Sequence, residues 1–191
     1  MPKVIDDEQI FRAVIQTVSE NGYTGSTTKQ MAAAAGISEV TLFRRYESKE
    51  QLVKASISFI IGQTDLKSAI QYTGDVHSDL ARMVKVYYDL ANVYGDFFSV
   101  MIFEMQRHLD IDLVNEPLEL FLAFTKIITR YQDEGVLVKE HPIIAWASLV
   151  VPLIITFNMK KVFPNFGLEV EDFSDYVTRF LAGRLDKTQE S

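Results

Sequence analysis

Apolar side chains recur at helical spacing along almost the whole chain, and no stretch alternates as a half-buried strand would. The first such run places Ile10, Val14 and Val18 on one face, with Phe11 and Ile15 beside them. Asp6 opens it, Asp7 and Glu8 fill the first turn, and Gln9 stands three residues on as in a capping box. Asn21-Gly22 closes it, since glycine takes the left-handed terminal conformation cheaply. Thr27 with Gln30 predicts a second capped start, ahead of the thin helix "MAAAA" closed by Gly36. Ser38 caps a third helix of about two turns, and Ser48, followed by Gln51, caps a fourth. Further periodic stretches predict helices near 50–72, 76–94, 96–109, 116–134, 142–162 and 170–185. Pro117 and Pro142 fit first-turn positions, Gly135 fits a stop, Gly95 marks a break or kink and Pro152 a kink. The fold class is all-α, with a compact three-helix unit feeding a larger helical remainder.

Charge changes the picture, because it is segregated. The 191 residues carry a formal net charge of −7, yet residues 1–54 hold seven basic and seven acidic side chains. Within 26–54 the balance is five to three in favour of cations. An acidic chain with a locally cationic end is suited to meeting phosphates at that end alone. The chain has no cysteine, which excludes disulfides, thiolate metal sites and thiol catalysis. "MPKVIDDEQIF" lacks the basic and apolar regions of a signal peptide. The apolar run Ile143–Met159 is interrupted by Ser148, Pro152, Thr156 and Asn158 and falls short of a span of about 20 residues. The expectation is a cytoplasmic protein with no membrane partner, this run being a buried helix.

Two helices joined by a tight glycine turn, the second short and capped, form the pattern of a helix-turn-helix. On the short helix Leu42 and Tyr46 fall on one face, toward "MAAAA", while Val40, Thr41, Phe43 and Arg44 fall on the other. Such an outward face is odd in water but suits a major groove. There an arginine bridges guanine O6 and N7, and apolar groups meet thymine methyls. The helix starts near Thr27 and Ser48 can receive phosphates on their amides, with Lys49 adding charge. Glu39 works against phosphate contact.

The stretch "FRAVIQTVSENGYTGSTTKQMAAAAGISEVTLFRRYESKEQL", Phe11 to Leu52, resembles the DNA-binding region of the TetR family of bacterial transcriptional regulators. The resemblance rests on Gly22-Tyr23, Thr27-Thr28, Ala32, Ala35-Gly36-Ile37-Ser38, Thr41-Leu42-Phe43, Tyr46, Ser48-Lys49-Glu50 and Leu52. Two positions depart from it. Phe43 lacks the hydroxyl with which relatives often bond a phosphate, and Val40 replaces a small residue. The resemblance implies a helix-turn-helix DNA-binding domain over 1–50 and a helical ligand-binding and dimerisation domain over 51–191. It also implies a homodimer on a near-palindromic double-stranded operator, usually a repressor released by a small-molecule inducer. The candidate DNA-contacting residues are Thr27, Thr28, Ser38, Val40, Thr41, Phe43, Arg44, Arg45, Tyr46 and Lys49.

Large soft side chains crowd the remainder. Tyr87, Phe98, Met101, Met105, Phe124 and Trp146 are candidates for a ligand wall, which would favour an apolar or aromatic ligand. Packed core explains each of them individually as well. Glu104 and Arg107 could hold a polar end. The last two helices are apolar beyond what one small domain needs. This marks Ile144, Leu149, Phe173, Val177, Phe180 and Leu181 as candidate dimer contacts, paired as a four-helix bundle in the family resembled. Catalysis finds no support. His77, His108 and His141 lack zinc spacing, and no nucleophile elbow or phosphate loop occurs. Asp110 with Asp112, or Glu169 with Glu171 and Asp172, could attract a hard cation, but acidic helix starts are routine. No cofactor, metal or catalytic residue is expected. A rival reading is a constitutive DNA-binding protein of this fold that recruits a protein partner and has no inducer. A helical enzyme retaining the head as a relic is a third.

Overall fold

The computed structural model describes residues 6–108, 115–165, 167 and 170–185. Nine helices occur among them: α1 (Asp7–Asn21), α2 (Thr28–Ala35), α3 (Glu39–Tyr46), α4 (Lys49–Gly62), α5 (Leu66–Ala69), α6 (Val76–His108), α7 (Asn115–Asp133), α8 (Pro142–Val162) and α9 (Phe173–Leu181). The only extended pairing among the described residues is a single antiparallel bridge between Leu137 and Leu185. The chain divides into two compact units, Met1–Thr64 with Tyr94–Glu116, and Asp65–Val93 with Pro117–Ser191.

In the first unit α1 packs on α2 and α4, and α3 rests against both α2 and α4. Ile10, Val14 and Val18 are fully buried, as their spacing requires, together with Met31, Ala32, Ala35, Leu42, Leu52, Val53 and Ile60. The alanines of α2 let its neighbours approach closely, so a helix of only eight residues has a buried side. Thr27 forms the expected capping box: its Oγ1 accepts from the Gln30 N–H, and Gln30 Oε1 accepts from the Thr27 N–H at 2.8 Å. Gly36 then takes φ 71°, which lets its N–H and that of Ile37 return to α2 carbonyls. Ser38 and Ser48 cap α3 and α4 by accepting from the Thr41 and Gln51 amides, each at 3.1 Å. The unit extends past residue 50, because α4 carries much of the core it shares with α1.

Three local expectations are corrected. Asp6 makes no side-chain cap: the Gln9 backbone N–H bonds the Asp6 carbonyl, and the Gln9 side-chain amide donates to the carbonyl of Ala35, 26 residues away, so no capping box forms. α4 stops at Gly62, and a separate short helix, α5, starts where Asp65 accepts from the Ser68 amide and hydroxyl. Gly95 does not break its helix: α6 runs 33 residues through it. One interior glycine costs only about 1 kcal/mol, and this one is buried.

In the second unit the first half of α6 packs with α7, α8 and α9 around Leu80, Met83, Val84, Ile128, Tyr131, Leu149, Leu153 and Val177. A buried carboxylate, Asp79, ties the loop before α6 to α7. It accepts from the Thr73 amide (2.8 Å), the Thr73 hydroxyl (2.5 Å), the Tyr131 hydroxyl (2.5 Å) and Arg82 Nη2 (2.5 Å). Burial alone would raise its pKa. Hydrogen bonds from Thr73, Tyr131 and Arg82 outweigh that and hold it below the usual carboxylate range. Gly135, at φ 71°, ends α7 as expected.

α8 is half-buried rather than buried. Ala145, Trp146, Leu149, Val150 and Leu153 face inward, while Ile144, Val151, Ile155 and Val162 are exposed. Those four positions fall on one side of the helix and form an apolar stripe. The helix is also long and apolar enough to cross a membrane, by length and composition only. It stays helical across Pro152.

Candidate nucleic-acid interface

α3 is held from beneath and at both ends. Leu42 is fully buried against the first unit's core. At the start, the Ser38 and Thr41 hydroxyls lie 2.8 Å apart, and Glu39 accepts a 2.6 Å hydrogen bond from the Thr28 hydroxyl on α2. Glu39 is thus a pin between the two helices of the motif. At the far end, Asp7 of α1 accepts from Arg45 Nη1 at 2.9 Å and from the Tyr46 hydroxyl at 2.7 Å. Burial, then the Asp7 carboxylate, pushes the Tyr46 phenol well above its ordinary range, so it stays protonated and donating. Its ring meets Phe11 edge-on at 5.7 Å. Glu47 closes α3 at φ 59°, and the next amide folds back to the Tyr46 carbonyl at 2.5 Å.

Several of the residues singled out in the sequence are exposed on the outward side. Val40 is 78% exposed and Phe43 45%. Arg44 is exposed, with no partner among the described residues. Thr27 is exposed, and Thr28, Ser38 and Thr41 lie at or near the same surface. Two of the expected cations are engaged elsewhere. Arg45 is paired with Asp7, as above. Lys49 is folded onto Tyr23: its ammonium donates to the Tyr23 carbonyl at 2.5 Å and lies 4.2 Å from the ring centroid. Burial lowers its pKa, with Glu50 and Glu104 opposing. Asp7 and Tyr23, which set the positions of these cations, are missing from the expected set. Asp7 has a local explanation as a first-turn acid, and nothing in the sequence marks its partners 38 and 39 residues on. Glu104, on the C-terminal half of α6, accepts from the Thr24 hydroxyl at 2.5 Å. That fixes the turn between α1 and α2.

The expected ligand wall is divided between the units. In the second, Phe124 stacks on Trp146 at 4.6 Å and Tyr87 meets the same indole edge-on at 6.0 Å. Phe124 and Trp146 are buried, and burial pushes the Tyr87 phenol up to about 12. Phe98 and Met101 lie in the first unit, Phe98 beside the buried Phe97. Met105 and Arg107 belong to α6, but their side chains lie outside the described residues.

Among the dimer candidates, Leu149, Val177 and Leu181 are turned into their own unit's core and hold α8 and α9 to it. Ile144 faces outward, and Phe173 and Phe180 are half-exposed. Phe173 lies against Tyr88, and Phe180 against the Arg184 guanidinium. The histidines are structural where described. His77 Nε2 bonds Ser174 and Thr178 of α9, and His141 caps α8. Asp172 caps α9 by accepting from two amides. Asp110, Asp112 and Glu169 lie outside the described residues. No group of acids and histidines suited to a metal ion occurs among the described ones.

Comparison with known proteins points the same way. Residues 10–56 match the family model described as "Bacterial regulatory proteins, tetR family". A Bacillus subtilis (strain 168) protein named as the uncharacterized HTH-type transcriptional regulator YvkB is 35% identical over 75 residues, or 39% of each chain. The fatty acid metabolism regulator protein of the same organism is 21% identical over 131 residues, 67% of this chain and 66% of that one. The matches thus span about two fifths and just under two thirds of these relatives. In fold, a TetR family transcription regulator from Marinobacter aquaeolei VT8 superimposes with a TM-score of 0.74 at 16% identity, over 95% of this chain and 96% of the other.

Proposed function

The chain belongs to the tetR family of bacterial regulatory proteins, and from that premise we propose that it is a homodimeric, DNA-binding transcriptional regulator, a repressor released from its operator by an apolar ligand. The observation that carries the reading is the outward face of α3. Val40, Phe43 and Arg44 stand clear of a capped, pinned helix whose other polar groups are engaged within the protein. A helix so presented fits a major groove.

The DNA-contacting residues lie within 1–50, to whose core α4 contributes, and 51–191 holds the ligand-binding and dimerisation functions. Dimerisation is supported by the exposed stripe Ile144, Val151, Ile155 and Val162 on α8. A second copy would cover this stripe, which makes pairing a better reading than membrane insertion. The protein works in the cytoplasm, where DNA is, and is not an enzyme. Ligand binding is supported by the ring cluster Tyr87, Phe124 and Trp146. The Tyr87 hydroxyl there has no hydrogen-bond partner among the described residues and offers a polar anchor. Fatty acyl compounds are the first to try, since one relative is named as a fatty acid metabolism regulator.

The test is selection of bound duplexes from a random library at one fixed, near-physiological salt concentration. Enrichment of an inverted repeat, lost on Arg44→Ala with the protein still folded, is the expected result. No enrichment by a folded protein would overturn the reading. The burial of Phe124 and Trp146 favours a second reading, a constitutive DNA-binding protein whose rings are plain core and which recruits a protein partner. A ligand bound well above its Kd raises Tm, so a thermal-shift screen of apolar compounds separates the two.

A further inference from the structure

α3 has little with which to read bases. Its sequence, EVTLFRRY, contains no asparagine or glutamine, the side chains that recognise adenine through paired hydrogen bonds. Glu39 is committed to Thr28, and the Ser38 and Thr41 hydroxyls to each other. Arg45 and Tyr46 are both committed to Asp7. What remains outward is Val40, Phe43 and Arg44, at positions i, i+3 and i+4 of one face. Two of these three are hydrocarbon, held in water by an otherwise polar surface.

In a major groove the one apolar feature of a base pair is the thymine 5-methyl group. Resting on the DNA-binding reading above, we infer that each half-site is recognised chiefly through two thymine methyls packed on Val40 and Phe43, with Arg44 reading a neighbouring guanine. Val40 and Phe43 are separated by about 4.5 Å along the helix axis, against about 3.4 Å per base step. The two thymines therefore lie one or two steps apart. Phe43 is a specificity residue here rather than a phosphate contact, because its ring offers contact area and no hydroxyl.

The experiment uses the full chain and the duplexes enriched in the selection, with each thymine replaced in turn by deoxyuridine, which lacks only the methyl group. At two thymines per half-site the substitution should weaken binding about three- to fivefold, the worth of one buried methyl. It should have no effect elsewhere. Placing 5-methylcytosine at those positions should bind better than cytosine. Val40→Ala should abolish the deoxyuridine penalty at one of the two positions and Phe43→Ala at the other. Both sites are exposed, so both variants should fold, which circular dichroism checks. Deoxyuridine tolerated at every position, or penalties that persist in both variants, would overturn the inference while leaving the DNA-binding reading intact. Failure to enrich any duplex would overturn both.

Discussion

Asp79→Ala isolates the strongest polar commitment in the second unit. The carboxylate has no solvent exposure and accepts four hydrogen bonds within 2.8 Å, from Thr73 twice, Tyr131 and Arg82. Removing it leaves the buried Tyr131 hydroxyl and the Thr73 amide without an acceptor. It also leaves Arg82, whose remaining bonds go to the carbonyls of Ser68 and Gln71, beside an empty site. Arg82 is one-third exposed and keeps those two partners, so the cost comes from the stranded buried donors, about 1–3 kcal/mol for each. Tyr131→Phe, which removes one donor only, should cost about 1–3 kcal/mol. The double variant should cost less than the sum, since the two changes share one bond. The sign of the pH dependence follows from the depressed carboxylate. Asp79 contributes its full stabilisation above the ordinary carboxylate range and loses it as pH falls below that range toward its lower folded value. Asp79→Asn should therefore flatten the acid limb of the stability profile. Urea unfolding at one fixed protein concentration, from pH 3 upward, measures all of this. A loss under about 1 kcal/mol for Asp79→Ala, or an unchanged acid limb in Asp79→Asn, would refute the reasoning.

Three further outcomes are expected. Asp7→Asn removes the negative charge that pairs with Arg45 at 2.9 Å and should therefore strengthen binding to random duplex and steepen the salt dependence by about one phosphate per head. Filter binding across a salt series measures this, and an unchanged slope would count against it. Ile155→Glu, on an exposed position of the α8 stripe, should convert dimer to monomer in sedimentation without altering the helical circular dichroism. A persisting dimer would move the interface elsewhere. Gly36→Ala should cost about 1 kcal/mol in urea unfolding. No atom lies within 4 Å of an added methyl there, so the whole effect is conformational strain at φ 71°.

The first four helices were legible because their signals are local. Thr27 with Gln30, Ser38 and Ser48 each cap over three residues, and Gly36 needs only its own φ. The same locality misleads at Asp6, where Gln9 prefers a carbonyl on α2, and at Gly95, where tertiary burial outweighs a weak propensity. In the interface, the outward turn of Val40, Phe43 and Arg44 follows from the burial of Leu42. The retention of Arg45 by Asp7 and of Lys49 by Tyr23 depends on pairings 38 and 26 residues apart, which no periodicity records. The aromatic residues could be listed from the sequence but not partitioned. Phe98 and Met101 sit on the same continuous helix as Tyr87 yet belong to the other unit. Leu149 and Val177 are as apolar as Ile144 and Ile155, and only the fold decides which of them face inward.

The capture of Lys49 by a backbone carbonyl and an aromatic ring reaches beyond its own turn. A regulator competes with the whole genome for its own molecules, and the competition is electrostatic, since unrelated duplex offers phosphates and little else. A head that keeps one lysine folded on Tyr23 and one arginine on Asp7, in a chain of net charge −7, releases few counterions when it touches arbitrary DNA. Most copies would then stay in free solution instead of being stored along the chromosome. The free concentration would follow expression closely, and few molecules per cell would suffice to occupy one operator. In such a system, changes in the amount of protein register at the promoter as directly as changes in its ligand.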